Sequence, residues 1–331
     1  MMDTLRIAVA CWDYDRVRPL MDGRIRADGV RLNFLTLTPE ETFFRAFRGA
    51  EFEVSELSLS STLMMLSRNQ CAYTPIPIFP SRSFRHSCIY VREGSGIERP
   101  EQLQGRRVAI PEYQVTAALV ARGLLADEYG VRPQDLDWVQ AGLEQVGRED
   151  KIVWQPPAGL RIEKIHDRTI VELFDRGEVD AMISPRAPPG FDPTGGGTIR
   201  RLFPDPAPVE AAYYRKTGIF PIMHVLGIRN DVLAANPWLA ASLAKAFTLA
   251  KNQALTELAD VAALKVALPF LASHVSEAHR LFGADFWPYG IEANRKPLEA
   301  ALRWSHEQGL SARRLTVEEL FPMQSLVSFK V

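Results

Sequence analysis

Short apolar runs alternate with amphipathic stretches along most of the chain. Residues 6–10 make a compact apolar run, and residues 30–37 alternate at the period of two that a half-buried strand requires. Thr38-Pro39-Glu40-Glu41 then predicts a helix start: Thr caps, Pro takes the first helical position, and a Glu follows three residues after the cap. Phe43, Phe44 and Phe47 supply that helix with an apolar stripe, and residues 51–55 return to strand character. Residues 56–61 (ELSLSS) are expected to form a polar turn before a helix carrying Met64 and Met65. A Pro-rich extended segment at 73–79 and a strand at 87–92 lead into a crossover at 94–105.

The pattern then begins again. A strand at 107–110, a loop at 111–114 and a helix at 115–129 are followed by a strand at 136–140. A helix at 169–176 is closed by Gly177 in the left-handed conformation common after helix ends, and a strand spans 179–184. Residues 185–208 are rich in Pro and Gly and predict surface loop, whereas 222–229 is strand again and the chain beyond Pro237 is largely helical. Strands alternating with helices argue for parallel sheets covered on both faces. The recurrence predicts a two-lobed α/β fold, with lobe 1 built from 1–92 plus 215–331 and lobe 2 from 93–214. In open α/β sheets ligands bind beyond the carboxyl ends of strands, which directs attention to loops 11–16, 56–61, 111–116 and 184–188.

Length and composition narrow the function classes. The 331 residues suffice for two domains, and 47% hydrophobic with 24% charged residues is the usage of an ordinary globular protein. A formal net charge of −1 without long single-sign blocks gives no electrostatic case for nucleic acid or a membrane surface as partner. Cys11, Cys71 and Cys88 lack metal or disulfide spacing and are expected to be reduced thiols. The first residues lack the features of a secretory leader, so the expectation is a cytoplasmic protein. No cofactor or metal is expected: HExxH, a Gly-rich phosphate loop and a GxSxG elbow are all absent.

The densest polar constellation is Ser81-Arg82-Ser83-Phe84-Arg85-His86-Ser87, where two guanidiniums and an imidazole could hold a carboxylate. Its alternative is a basic surface turn. Trp12 and Tyr14 could stack on a planar ring, and Asp13 could accept from a ligand hydroxyl, although aromatics in such loops often serve as partial core. Glu56, Ser58 and Ser60 precede a helix whose free N–H groups attract anions, or serve as ordinary caps. Glu112, Tyr113, Gln114 and Thr116 make the matching turn in lobe 2. Arg186 is a second carboxylate clamp or a surface residue. His224 lies within an apolar strand, where an imidazole is either a satisfied core residue or functional.

Residues 10–15, 40–61 (EETFFRAFRGAEFEVSELSLSS), 77–90 (PIFPSRSFRHSCIY), 110–116 (IPEYQVT), 177–188 and 213–225 together resemble the 4,5-dihydroxyphthalate decarboxylase family. The likeness runs in register over nearly the whole chain. It implies a periplasmic-binding-protein type II-like fold with a ligand cleft between lobes. It also implies a carboxy-lyase that converts 4,5-dihydroxyphthalate to protocatechuate and CO2 in phthalate catabolism without an organic cofactor. The implied partner is a small aromatic dicarboxylate. Homo-oligomer formation, if it occurs, is expected through the Ala-rich C-terminal helices.

That chemistry needs a proton donor above the ring, a base near the catechol hydroxyls and cations for the carboxylate that stays. Imidazole suits the donor, so His86 is expected to act, with His224 as second choice. Arg82, Arg85 and Arg186 are expected to clamp carboxylate, and Asp13 or Glu56 to engage the hydroxyls. The two substrate carboxylates should occupy different environments, because a tight clamp on the departing one opposes loss of its charge. The competing readings are a solute-binding protein or receptor for an aromatic or dicarboxylic acid without catalysis, and a related decarboxylase or sensor for another aromatic acid.

Overall fold

A computed structural model describes residues 5–322. The first sheet has the order β2-β1-β3-β11-β4, made by β1 (Leu5–Ala10), β2 (Val30–Leu35), β3 (Val54–Ser58), β4 (Tyr73–Arg82) and the late strand β11 (Ile222–Arg229). β1 pairs parallel with β2 and β3, and β11 enters antiparallel between β3 and β4. Burial of Ile7, Val9, Val54 and Leu57 supplies the apolar drive for this layer. Gly227 lets β11 lie close to its neighbour, since a Cβ there would come within 2.5 Å of the Leu57 side chain. β4 keeps Pro75, Pro77 and Pro80 because it is an edge strand, where missing N–H donors cost no ladder bond on the open side.

The second sheet has the order β10-β5-β9-β6-β7-β8. Its strands are β5 (Ile89–Arg92), β6 (Arg107–Ile110), β7 (Asp137–Gln140), β8 (Ile162–Lys164), β9 (Ala181–Ile183) and β10 (Ile199–Arg201). Because β5 pairs with β9 and β10, the chain crosses between sheets before Ile89, earlier than the boundary at 92 expected from sequence. The expected surface loop at 185–208 also contains β10 and the start of a helix.

The helices that matter for the cleft are α1 (Arg18–Met21), α2 (Pro39–Gly49), α3 (Leu59–Ser67) and α4 (Thr116–Tyr129). Those that follow are α5 (Ile170–Asp175), α6 (Pro206–Thr217), α7 (Asn230–Ala235), α8 (Leu239–Ala259), α9 (Leu271–Phe282), α10 (Arg295–Glu307) and α11 (Val317–Leu320). Thr38 caps α2 as expected, but its apolar stripe is narrower: Phe43 is buried, while Phe44 is exposed under the Arg48 guanidinium. The polar turn expected at 56–61 does not form. Glu56, Leu57 and Ser58 belong to β3 and are buried, and α3 starts directly at Leu59.

α10 does not belong to one lobe. It packs against α3 of the first lobe and α4 of the second, bracing the back of the molecule. Trp304 fits over Gly123, where a Cβ would lie 2.3 Å from the ring, and its indole N–H donates to Asp127 at 2.8 Å. Arg122 donates to Gln308 at 2.8 Å from the other side of the same contact. Among the described residues no helix is long and apolar enough to cross a membrane.

Candidate active site

A cleft of about 740 Å³ opens between the two sheets, a volume suited to a small organic ligand. Lobe 1 contributes Trp12, Glu40, Phe43, Ser58, Arg85, Met223 and His224. Lobe 2 contributes Pro111, Val115, Thr116, residues 142–148, Lys151 and 184–186. β11 carries His224 to the cleft wall, and its register against β3 sets the imidazole beside Glu56. Glu56 Oε1 meets His224 Nδ1 at 2.6 Å and accepts the Tyr14 hydroxyl at 2.7 Å, while Oε2 accepts the Trp12 N–H at 2.9 Å. Phe43 closes the imidazole edge in a T-shaped contact at 4.8 Å.

Glu56 is fully buried. Burial alone would raise its carboxyl, but the His224 charge and the hydrogen bonds from His224, the Trp12 N–H and Tyr14 outweigh it and hold it below the ordinary range. The same burial, with the Glu56 charge, pushes the Tyr14 hydroxyl and the neighbouring Cys11 thiol up, so both stay protonated. With Nδ1 tied to the carboxylate, His224 presents Nε2 as its remaining ring nitrogen.

The cations of the cleft divide into committed and uncommitted groups. Lys151 donates to buried Glu112 at 2.6 Å, and Arg148 lies 3.4 Å from the same carboxylate. Arg148 and Arg186 both approach Glu40 across the mouth, at 3.5 and 3.2 Å. Arg85 has no carboxylate within ion-pair distance among the described residues. Its Nε meets the Met223 sulfur at 3.1 Å, and burial pulls its guanidinium below the ordinary value. It is therefore the cleft cation most in need of an anion.

The chain is 44% identical over all 331 residues to a protein from Comamonas testosteroni described as a 4,5-dihydroxyphthalate decarboxylase, covering the whole of both chains. A Pseudomonas putida protein of the same description is 40% identical over 216 residues, which are 65% of this chain and 83% of the relative. The chain belongs to the 4,5-dihydroxyphthalate decarboxylase family. Residues 14–154 also match the family described as "ABC transporter, phosphonate, periplasmic substrate-binding protein". Among solved structures, the periplasmic aliphatic sulphonate binding protein SsuA from Escherichia coli aligns over 99% of this chain and 94% of its own, with TM-score 0.52 and 14% identity. The alkanesulfonate-binding protein SsuA from Xanthomonas axonopodis pv. citri bound to MOPS aligns over 96% and 97%, with TM-score 0.52 and 13% identity. This decarboxylase family member thus carries the two-lobed periplasmic-binding-protein fold.

In this family member the residues singled out from sequence divide sharply. Trp12, Ser58, Arg85, Thr116, Arg186 and His224 line the cleft. Glu56 and Tyr14, expected to engage the ligand, are not among the lining residues and stand behind His224 instead. Ser58 and Thr116 bond each other at 2.9 Å, and the Ser60 N–H donates to Thr116 at 3.1 Å, which ties the lobes together at the cleft floor. The Ser60 hydroxyl is buried. Asp13 is not in the cleft and pairs with Arg18. Arg82 is buried away from the cleft, donating to the Phe220 and Pro288 carbonyls and to Asn294. Burial lowers it to about 9.

His86 does not line the cleft either. Its ring packs against Phe203 and Tyr213, neither nitrogen has a hydrogen-bond partner, and burial lowers it to about 4. Neutral at pH 7, it lacks the imidazolium proton that a general acid gives up. Glu112 and Gln114 face inward and hold the loop at 148–152 rather than a ligand, and Tyr113 is core, stacked on Trp154 at 5.4 Å. Sequence reasoning missed Glu40, Phe43, Met223 and the 142–151 loop. The rule that ligands lie beyond strand carboxyl ends, applied also to β2 and β7, would have found the first turn of α2, which holds Glu40, and the loop that contains Gly142.

Proposed function

We propose that this protein removes one carboxylate from 4,5-dihydroxyphthalate without oxidation, giving protocatechuate and CO2, and that His224 is the proton donor. The observation that supports it most is the His224–Glu56 pair in the cleft of a chain alignable end to end with a relative of that name. The hydroxyl para to the departing carboxylate feeds electron density to the carbon that bears it. His224 Nε2–H protonates that carbon, the bond to the carboxylate breaks, and its electron pair restores the aromatic ring as CO2 leaves. Glu56 holds the imidazole in place and favours its charged form before transfer.

Arg85 anchors the carboxylate that stays, because it is the cleft cation without a protein carboxylate of its own. The departing group belongs beside Phe43, Val115 and Met223, where loss of its charge is favoured rather than opposed. The hydroxyl groups are left for the polar wall at 142–148.

The test is incubation of chelator-treated protein with 4,5-dihydroxyphthalate in D2O, with and without added divalent metal, following product and CO2. The expected product carries one deuterium at the vacated carbon. His224→Gln should slow its formation by about 10²–10⁴-fold while the variant stays folded. Tight substrate binding without turnover under any condition would favour a receptor instead.

A further inference from the structure

Tyr14 does not line the cleft, yet its position is held by more contacts than a filler requires. The Arg16 guanidinium lies 4.1 Å over its ring and 4.2 Å over Trp287, and Arg16 Nε is fixed by the Pro80 carbonyl at 2.6 Å. The result is a hydroxyl aimed at Glu56 Oε1 at 2.7 Å, the same oxygen that meets His224 Nδ1 at 2.6 Å. The hydroxyl and that ring nitrogen are only 3.4 Å apart. Glu56 is fully buried, so no bulk water stands by to replace a lost donor. Two donors on one oxygen divide its negative charge, and each weakens the hold on the other.

We infer that Tyr14 is a positioning residue for the proposed decarboxylation: by occupying Glu56 Oε1 it limits how tightly the carboxylate retains the His224 imidazolium, and so leaves Nε2 able to release its proton. This rests on the reading of His224 as proton donor. An unshared buried carboxylate would hold the imidazolium more firmly and make it a poorer acid, while no carboxylate would leave it uncharged. Glu56 and Tyr14 therefore act in opposite directions on one ring.

The other groups around His224 stay constant in such a comparison. Cys11 and Arg16 lie behind Tyr14, and Ser58 and Ser81 flank His224 on the neighbouring strands. Phe43 covers the ring edge, and Arg85, Glu40, Arg148, Lys151 and Arg186 line the cleft. Among the described contacts only Glu56 and Tyr14 approach its Nδ1 as hydrogen-bonding groups.

The experiment is an imidazole-15N NMR titration of the intact protein without substrate, with the His224 signal identified by its loss in H224Q. In Y14F the midpoint should rise by about half to one pH unit, and in E56Q it should fall by about one or more. The corresponding limb of kcat/KM against pH should move the same way in each variant. A Y14F midpoint that is unmoved, or that falls as in E56Q, overturns the inference. If Y14F does not fold, site-specific 3-fluorotyrosine at position 14, a stronger donor, should lower the midpoint instead, and an unchanged value again overturns it. Absence of turnover by the wild-type protein would refute the decarboxylase reading alone, because the NMR midpoints are measured without substrate.

Discussion

Two histidines of this protein each face a glutamate, and the two settings have almost nothing else in common. His224 Nδ1 lies 2.6 Å from Glu56, at the wall of an open cleft, with Tyr14 and a backbone N–H completing the carboxylate's partners. His86 Nδ1 lies 3.9 Å from Glu210, too far for a hydrogen bond, and its ring is enclosed by Phe203 and Tyr213. Burial lowers His86 to about 4 and raises Glu210, whereas Glu56 is held below the ordinary carboxyl range by its partners. A difference of about an ångström in separation, with the matching burial, decides whether a His–Glu pair makes a hydrogen bond or only packs.

Exchanging the histidines for neutral residues should split the two roles most widely. His224→Gln is expected to cut turnover of 4,5-dihydroxyphthalate by about 10²–10⁴-fold, the usual worth of a positioned acid. His86→Phe should stay within a few-fold of wild type, as measured by product formation. The reverse ranking would return the donor role to His86. The arginines sharpen the same contrast. Arg85→Gln should lower kcat/KM by about 10²-fold through lost carboxylate binding. Arg82→Met should leave KM unchanged yet cost about 3 kcal/mol of stability in urea unfolding, because it strips donors from buried acceptors.

A smaller effect is expected from pH. His86 is depressed in the folded state, so the unfolded chain takes up the proton first as pH falls. Its contribution is complete above the ordinary value of 6.5, is lost progressively as pH falls from there, and levels off below about 4. The loss at pH 5 amounts to about 2 kcal/mol relative to pH 8. Urea midpoints across that window should show the slope in wild type and a flatter curve in His86→Phe; equal slopes would mean another group carries it. The smallest effect belongs to the exposed Arg48–Glu149 pair at 3.4 Å, which joins α2 to the mouth loop. Arg48→Ala should change stability by less than about 1 kcal/mol, in line with exposed pairs generally.

The alternation of apolar runs was enough to read most strand positions and strand character at 222–229. The sheets expected to be parallel are mixed, with antiparallel pairings by β11, β5 and β10, and the short strands β8 and β10 were not read. Strand polarity pointed to the loops that hold Trp12, Ser58, Thr116 and Arg186, while His224, inside a strand, was singled out only for its imidazole; all five line the cleft. What could not be read was orientation. Arg82 and Arg85 stand three apart in one polar segment, yet β4 carries Arg82 inward to the Phe220 and Pro288 carbonyls. Beyond the strand end the chain turns, and Arg85 faces the cleft. His86 follows immediately and turns away, into an aromatic nest built by residues more than a hundred positions downstream. Glu56 looked like part of a polar turn because Ser and Glu outnumber apolar residues there. Only pairing with β11 shows that this stretch is a buried central strand.

That pairing also sets an order in time. β3 and β4 have no direct bond to each other; the strand that joins them, β11, comes some 140 residues after β4 ends. A chain emerging from the ribosome therefore carries an open gap in the middle of its first sheet until residue 229 is out. The second sheet has all its strands by residue 201, so the lobe that begins later is the one able to close first. The first lobe, with Glu56 on one edge of that gap and His224 on the strand that fills it, brings this pair together in the same event that completes its sheet.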